Sequence, residues 1–308
     1  MTAAEGEAAP VRRVMIVGAG TMGLGVAKSF AAAGFETSLW SRRAANLTGL
    51  PSGVSAVAAL PAEPPDLVLE NVPEEVAVKR EVYRALEAAY PSGVIIATNT
   101  SGLSLDELAA ELRHPECFLG AHYFQPADVF PMVEVIAATG TAPEAVARVA
   151  EAMRQTGKEP ILVRKPVPGF LINRLQHAIL HEAYHLVESG VASAAEIDAV
   201  AKQLLGPRMC VTGLIEQKDI GGLEIHAAAQ RAIVPALAHG NRPVAYVQDM
   251  VARGETGLKS GKGFYDWSAC DRLLVAAQAA ARLRQLLQYL QHDLGPPAPT
   301  TIPRDRSP

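Results

Sequence analysis

The sequence predicts an α/β fold in which an open, mostly parallel sheet is followed by an all-α domain. Through about residue 165, short apolar runs that suit buried strands alternate with segments whose apolar residues recur at helical spacing. From Pro168 onward only the helical pattern recurs. At 308 residues the chain exceeds the size at which single cores stop growing, roughly 250 residues, so two domains are expected.

A glycine-rich turn opens the predicted sheet domain. The apolar run 14–17 breaks into Gly18-x-Gly20-x-x-Gly23 and continues as a helix of small residues. Gly18 permits the turn, Gly20 lets a pyrophosphate approach the backbone, and Gly23 lets the helix lie close to the strand. Together with Thr21 and Met22, these glycines are the predicted phosphate-binding residues of a Rossmann-type dinucleotide domain. The alternative is a purely structural turn.

The end of the second predicted strand bears on the choice of cofactor. An acidic residue there would hydrogen-bond the ribose 2′-hydroxyl of NAD, but this chain has Ser41, Arg42 and Arg43 instead. Two guanidiniums could hold a 2′-phosphate, so the residues favour NADP(H) over NAD(H). Two alternatives remain: Arg42 stacks on the adenine, or both arginines are simply solvated.

The element pattern sets the predicted domain bounds. The strands after the first are expected at 35–40, 66–70, 94–98, 118–122, 132–136 and 161–163, with helices at 22–33, 73–89, 105–112 and 143–156 between them. Residues 44–65 read as a connection holding at most one helical turn. We expect a disordered leader at 1–11, the dinucleotide domain at 12–165, a helical substrate and dimerisation domain at 166–294, and a mobile tail at 295–308.

Composition excludes several classes of protein. The formal net charge is −4 and no long basic run occurs, which argues against a nucleic-acid partner. The three cysteines lack Cys-x-x-Cys spacing, so neither a disulfide framework nor a zinc site is indicated and a reducing compartment is expected. The start lacks the features of a signal peptide, and no run of about 18 apolar residues follows. We therefore expect a cytoplasmic protein without a membrane partner.

Two residues could carry acid–base chemistry. His122 ends a predicted strand, and Glu134 follows on the next one. A neutral imidazole can take a proton from a secondary alcohol near pH 7 while hydride leaves the same carbon. A carboxylate on the other ring nitrogen would fix the tautomer and stabilise the imidazolium. Taken alone, a histidine at a strand end is more often structural.

Six stretches of the chain occur in the order seen in one enzyme family. They are residues 18–23, 70–75 (Glu-Asn-Val-Pro-Glu-Glu), 99–104 (Asn-Thr-Ser-Gly-Leu-Ser), 122–126 with 133–135, 168–174 (Pro-Gly-Phe-Leu-Ile-Asn-Arg) and 259–265 (Lys-Ser-Gly-Lys-Gly-Phe-Tyr). In these stretches the chain resembles the L-3-hydroxyacyl-CoA dehydrogenase family, which includes L-gulonate dehydrogenase (lambda-crystallin) and carnitine dehydrogenase, and the likeness extends over residues 13 to 267. The resemblance implies a homodimer formed through the helical domain.

The resemblance also implies roles for individual residues. His122 would be the general acid or base and Glu134 its orienting partner, while Ser101 and Asn173 would hold the substrate oxygen. The positions matching cofactor contacts are Glu74, Lys79, Asn99, Gln125 and Lys259. Gln125 stands where the family usually has Asn, which lengthens the amide arm.

Three functions remain open from the sequence. The first is an NAD(P)-dependent 3-hydroxyacyl-CoA dehydrogenase, which interconverts a 3-hydroxy and a 3-keto group. The second is the same chemistry on a free 3-hydroxy acid or another small carbonyl compound, because residues 44–65 are too short for the helical insertion that helps fatty-acyl members of the family to hold CoA. The third is a non-catalytic, crystallin-like NADPH-binding protein, against which the complete set of catalytic residues argues.

Two further features have alternative interpretations. His177, His181 and His185 recur every four residues on one helix face, which is a metal-ligand spacing, but no carboxylate completes a site and we predict no metal. Residues 206–208, 213 and 219–222 are expected to form a loop that either shapes the substrate pocket or simply joins two helices.

Overall fold

The computed structural model describes residues 10–293, which divide into two compact units at residues 175 and 176. The first unit contains an eight-stranded sheet in the order β3-β2-β1-β4-β5-β6-β7-β8. Its strands are β1 (Arg13–Val17), β2 (Glu36–Trp40), β3 (Val54–Val57), β4 (Leu67–Glu70), β5 (Ile95–Thr98), β6 (Phe118–Tyr123), β7 (Met132–Ala137) and β8 (Glu159–Val163). Neighbouring strands are parallel except β6 and β7, which are antiparallel. The mostly parallel sheet is confirmed.

Both faces of the sheet are covered by helices. The helices of the first unit are α1 (Thr21–Ala32), α2 (Val76–Ala89), α3 (Leu105–Ala109) and α4 (Pro143–Gln155), and α5 (Ile172–Glu188) begins in it. Along β1, Val14 and Ile16 belong to one hydrophobic cluster while Met15 and Val17 belong to the other. The central strands therefore carry apolar side chains on both faces over most of their length, which is why they read as apolar runs in the sequence.

The region between β2 and β4 differs from the prediction. Residues 44–65 were expected to be a connection, yet they contain a 3₁₀ turn at Ala44–Asn46 and the strand β3. This strand pairs with β2 at the edge of the sheet and carries no fully buried residue. Because an edge strand is partly solvated, it lacks the continuous apolar run that marks the central strands. The strand predicted at 66–70 is consequently the fourth, not the third.

The second unit is helical, as predicted. After α5 come α6 (Ala194–Val200), α7 (Gly206–Thr212), α8 (Glu216–Gly221), α9 (Leu223–Ile233), α10 (Ala245–Ala252) and α11 (Arg272–Gln288), with π-helical segments at Ala201–Leu205 and Tyr289–Asp293. The prediction of a loop through 206–208 and 219–222 was wrong, because these residues lie mainly in α7 and α8. Pro207 is tolerated because it stands in the first turn of α7, where a backbone N–H has no helical partner.

The predicted leader and tail fall largely outside the described residues. Residues 1–9 and 294–308 are not described, whereas Val11 is buried in a hydrophobic cluster of the sheet. The domain bounds at 165 and 294 stay predictions. Within residues 10–293, no helix combines the length and the apolar character needed to cross a membrane.

Gly18 offers a test of how the first turn is built. Its φ is +102°, and a Cβ there would lie 2.6 Å from the carbonyl oxygen of Asn71. Gly34 also has a positive φ of +86°, but none of the described atoms lies within 4 Å of its Cβ position. We expect Gly34→Ala to lower the free energy of unfolding by about 1–2 kcal/mol through backbone strain. Gly18→Ala should lower it further, because the Asn71 backbone must also move.

Urea unfolding of the two variants measures this difference. Equal free energies of unfolding for Gly18→Ala and Gly34→Ala would contradict the close approach of Gly18 to Asn71.

Candidate active site

The antiparallel pairing of β6 and β7 places a histidine opposite a glutamate. His122 and Glu134 are direct partners in the register of the two strands. Nδ1 of His122 lies 2.7 Å from Oε2 of Glu134, and the two residues are only 4% and 2% exposed. The predicted acid–base pair is thus assembled by strand pairing, with both side chains on the same face of the sheet.

The partner of Nδ1 fixes the tautomer of this imidazole. Burial raises the pKa of Glu134, but hydrogen bonds from His122 and from the Ile172 and Leu171 amides lower it more, so its net pKa lies below the ordinary value. An ionised carboxylate only accepts hydrogen bonds, so Nδ1 carries the proton and Nε2 keeps a lone pair. Among the hydrogen bonds of residues 10–293, that ring bonds only through Nδ1. The ring therefore has one nitrogen, Nε2, without a described partner.

A strained turn before α5 completes the environment of Glu134. The backbone N–H groups of Leu171 and Ile172 donate to Oε1 of Glu134 at 2.8 and 2.9 Å. Gly169 and Phe170 precede them with φ of +76° and +49°. A positive φ is costly for a bulky residue such as phenylalanine and persists only where the surrounding structure enforces it. Here the turn directs two amides at the carboxylate that orients His122.

Aromatic side chains enclose the imidazole. Phe124 contacts His122 edge-on, with ring centroids 4.7 Å apart, and Phe170 lies 5.7 Å away in a tilted arrangement. Phe130 in turn contacts Phe124. These rings restrict the orientation of His122. Sequence reasoning did not assign them to the site, although Phe124 and Phe170 belong to the motifs 122–126 and 168–174.

The other two predicted catalytic residues also lie together. The side-chain amide of Asn173 donates to the backbone carbonyl of Ser101 at 3.1 Å. Since residues 171 and 172 bind Glu134 and residue 173 binds Ser101, the start of α5 joins the two pairs. The Ser101 loop is further held by Glu74, whose Oε1 accepts from the N–H groups of Ser101 and Gly102 at 2.8 and 3.2 Å.

The glycine turn has the features of a phosphate-binding site. Gly20 caps α1 without a side-chain hydrogen bond, and the first turn of α1, all of it described, carries no acidic residue. A Cβ at Gly20 would meet no described atom within 4 Å, whereas one at Gly23 would lie 1.9 Å from the Gly18 carbonyl oxygen. The turn is therefore tight at Gly18 and Gly23 but open at Gly20. Thr21 and Met22 lie in the first turn of α1, where backbone N–H groups have no partner within the helix. These N–H groups, next to the open space at Gly20, suit a pyrophosphate.

The remaining predicted cofactor residues differ in exposure. Arg42 and Arg43 are exposed, and neither guanidinium has an ion pair within residues 10–293; the N–H of Arg43 donates to Oγ of Ser41 at 3.2 Å. Asn99 links two neighbouring strand ends, because its side chain donates to Asn71 and accepts from the Tyr123 amide. Gln125 is exposed after β6, and Lys259 is exposed in the second unit.

Lys79 is buried in a polar cluster, which the sequence did not predict. Its side chain is fully buried, and its ammonium lies 2.9 and 3.0 Å from the two carboxylate oxygens of Glu70. Tyr83 and Thr98 also donate to Glu70, at 2.8 and 2.7 Å. Sequence reasoning missed this set, because single charged or hydroxyl residues inside apolar runs give no spacing signal.

The three histidines spaced four residues apart lie on α5. His177 and His185 are exposed and His181 is half-buried. Within residues 10–293, no three His, Cys, Asp or Glu side chains are grouped so that they could hold an ion.

Two sequence models cover most of the chain. Residues 13–62 and 52–166 match the NAD-binding domain of 3-hydroxyacyl-CoA dehydrogenase, and residues 169–267 match its C-terminal domain. The chain is also 30% identical to 5-formyl-3-hydroxy-2-methylpyridine 4-carboxylate 5-dehydrogenase of Mesorhizobium japonicum, over 91% of this chain and 99% of that protein. It is 31% identical to 3-hydroxyadipyl-CoA dehydrogenase of Escherichia coli, over 88% of this chain but 62% of that protein.

Solved structures give the same assignment. The crystal structure of a 5-formyl-3-hydroxy-2-methylpyridine 4-carboxylic acid 5-dehydrogenase, described as an NAD+-dependent dismutase, superposes with a TM-score of 0.84 at 29% identity, covering 92% of this chain and 99% of that one. A 3-hydroxyacyl-CoA dehydrogenase from Archaeoglobus fulgidus gives 0.67 at 30% identity, over 91% and 99% of the two chains. The chain therefore belongs to the 3-hydroxyacyl-CoA dehydrogenase family of oxidoreductases.

Proposed function

We propose that this protein interconverts a hydroxyl and a carbonyl group at carbon 3 of its substrate, with His122 as the general acid or base. The observation that carries the proposal is the buried pair in which Glu134 holds Nδ1 of His122 and leaves Nε2 without a described partner. Nicotinamide dinucleotide, for which the glycine turn is suited, supplies the hydride acceptor or donor when bound. Nε2 then takes the hydroxyl proton during oxidation, and Glu134 stabilises the resulting imidazolium.

Ser101 and Asn173 are proposed to bind the substrate oxygen. Ser101 lies on the loop after β5 and Asn173 at the start of α5, and the hydrogen bond from the Asn173 side chain to the Ser101 backbone carbonyl fixes their spacing. Such preformed donors stabilise the charge that develops on the oxygen in the transition state. This complete set of groups supports an enzyme rather than a crystallin-like, non-catalytic nucleotide-binding protein.

We propose further that the substrate does not carry CoA. Between β2 and β4, a stretch described throughout, the chain forms a 3₁₀ turn and a strand but no α-helix that could serve as a CoA-binding insertion. The higher TM-score to the pyridine carboxylate dehydrogenase than to the Archaeoglobus enzyme supports the same choice. A small hydroxy acid, or an aldehyde or ketone that bears a carboxylate, is the class of substrate we expect.

A substrate panel tests the reaction and the residue together. We expect turnover with free 3-hydroxy or 3-keto acids and little with their CoA thioesters, followed through the absorbance of reduced nicotinamide. His122→Gln should lower kcat by about 10²–10⁴-fold, because general acid–base catalysis is lost, while nucleotide affinity is retained. His114→Gln, which changes a histidine that bonds Glu116 and the Pro91 carbonyl, is the matched control. Full activity of His122→Gln would remove the proposed base, and preference for the thioesters would remove the proposed substrate class.

The exposed Arg42 and Arg43 lead us to propose a preference for NADP(H). No carboxylate stands in the Ser41–Arg43 segment to repel a 2′-phosphate, and neither guanidinium is committed to a described partner. Arg42→Ala and Arg43→Ala should each weaken NADPH binding by roughly tenfold or more, since a hydrogen bond to a charged group is lost. NADH binding should change little.

Fluorescence titration of both reduced cofactors provides the measurement. Arg164→Ala, which removes another exposed arginine of the first unit, serves as the control. Tighter binding of NADH than NADPH by the unchanged protein would show that the arginines do not select the phosphate.

We also propose a homodimer formed through the helical unit. Among the described residues of this unit, Met250 is the only one with a large apolar side chain that is buried. Many others are exposed, and Val191, Ile215, Ile220, Ile225 and Leu273 are 67–84% exposed. Apolar exposure on this scale is characteristic of a surface that binds another chain. A reducing, cytoplasmic location is proposed with it, in keeping with three free cysteines.

Sedimentation equilibrium tests the dimer. We expect a mass twice that of the 32.5-kDa chain. Ile220→Glu should shift the protein toward monomer, because a charge would be buried in the interface. Leu162→Glu, at a 47% exposed site in the first unit, is the control. A monomer at micromolar concentration in the unchanged protein would refute the proposal.

A further inference from the structure

A fully buried group of polar side chains lies between β4, β5 and α2. Glu70 ends β4, Thr98 ends β5, and Lys79 and Tyr83 lie one turn apart on α2. All four are at most 1% exposed. Oε1 of Glu70 accepts from the Val72 amide at 2.7 Å and from Lys79, and Oε2 accepts from Lys79, Tyr83 and Thr98. Every oxygen of the buried carboxylate is thus occupied.

The group directs one cation toward a second carboxylate. Besides Glu70, the ammonium of Lys79 contacts Oε2 of Glu74 at 3.5 Å. A buried ion pair is costly to desolvate and is often replaceable by apolar residues without loss of stability. Packing alone therefore does not explain why β4 and α2 enclose these charges. These charges fix a position, because Glu70 holds the ammonium of Lys79 where it also contacts Glu74.

Glu74 carries this constraint to the loop that contains Ser101. While Oε2 contacts Lys79, Oε1 accepts from the Thr100 hydroxyl at 2.5 Å and from the Ser101 and Gly102 amides. Thr100 also accepts from the Leu103 amide at 3.0 Å. Burial raises the pKa of Glu74, but these hydrogen bonds and Lys79 lower it more, so its net pKa lies below the ordinary value and the carboxylate stays ionised.

We propose that Glu70, Tyr83 and Thr98 are positioning residues for Ser101. They fix the ammonium of Lys79, Lys79 fixes the carboxylate of Glu74, and Glu74 fixes the backbone of residues 100–102 beside Asn173. This inference takes from the proposed function only the role of Ser101 in substrate binding. It also gives Lys79 an indirect role, because an ammonium without exposed surface contacts a nucleotide only if this group opens.

Amide hydrogen exchange tests the chain of contacts without requiring activity. Glu70→Gln removes the charge that holds Lys79, so the Ser101 and Gly102 amides should exchange roughly tenfold faster. Glu87→Gln is the matched control. Glu87 is another buried glutamate of the same helix, and it accepts from the Arg113 and His114 amides at 2.7 and 3.2 Å. In the control, the amides of 113 and 114 should accelerate while those of 101 and 102 do not.

A milder variant covers the case in which Glu70→Gln does not fold. Tyr83→Phe keeps the ring that packs edge-on against Phe118 at 5.3 Å and removes only the hydroxyl that donates to Glu70. It should accelerate exchange at 101 and 102 by a smaller factor, about threefold. Unchanged exchange there in the folded variants, or equal acceleration in both loops, would overturn the proposal.

Kinetics separate this proposal from the proposed reaction. If the enzyme is active, Glu70→Gln should raise the substrate KM and lower kcat/KM roughly tenfold, with the Glu87→Gln enzyme unchanged. If the reaction is misassigned, His122→Gln will leave activity intact. The exchange rates of the amides at 101 and 102 test the positioning role independently of that result.

Discussion

The hydrogen bond between His122 and Glu134 is the interaction on which the rest of the site depends. It exists because one pair of strands in an otherwise parallel sheet is antiparallel, which sets residues 122 and 134 opposite each other. The antiparallel register of β6 and β7 therefore fixes the tautomer of the imidazole, because it brings the Glu134 carboxylate to Nδ1.

Glu134 also joins the sheet to the chain that follows it. Its second oxygen accepts from the amides of Leu171 and Ile172, so the entry into α5 is held by the same carboxylate that orients His122. The positive φ values at Gly169 and Phe170 are the backbone cost of that arrangement. Asn173 follows directly and reaches Ser101, and hence one carboxylate sets the position of two proposed substrate-binding groups.

The sequence predicted features that depend on neighbouring residues in the chain better than features that depend on contacts between distant elements. The central strands, the glycine turn and the helical second unit follow local patterns, and they were predicted. The strand β3 was missed because it is a half-solvated edge, and α7 and α8 were missed because glycine and proline usually signal a loop. The burial of Lys79 against Glu70 depends on contacts between β4 and α2, which no spacing rule reveals.

Two carboxylates share one design, Glu134 within β7 and Glu74 in the segment between β4 and α2. In Glu134, one oxygen meets a basic side chain, His122, and the other accepts backbone amides from the turn before α5. In Glu74, one oxygen meets Lys79 and the other accepts the amides of the Ser101 loop. Each carboxylate therefore ties a loop to the sheet or to a helix packed on the sheet. Loops are usually less rigid than the elements they connect, so these bonds fix the loop positions. Because both loops meet at Asn173, the site is held by these two carboxylates and their basic partners rather than by the loops themselves.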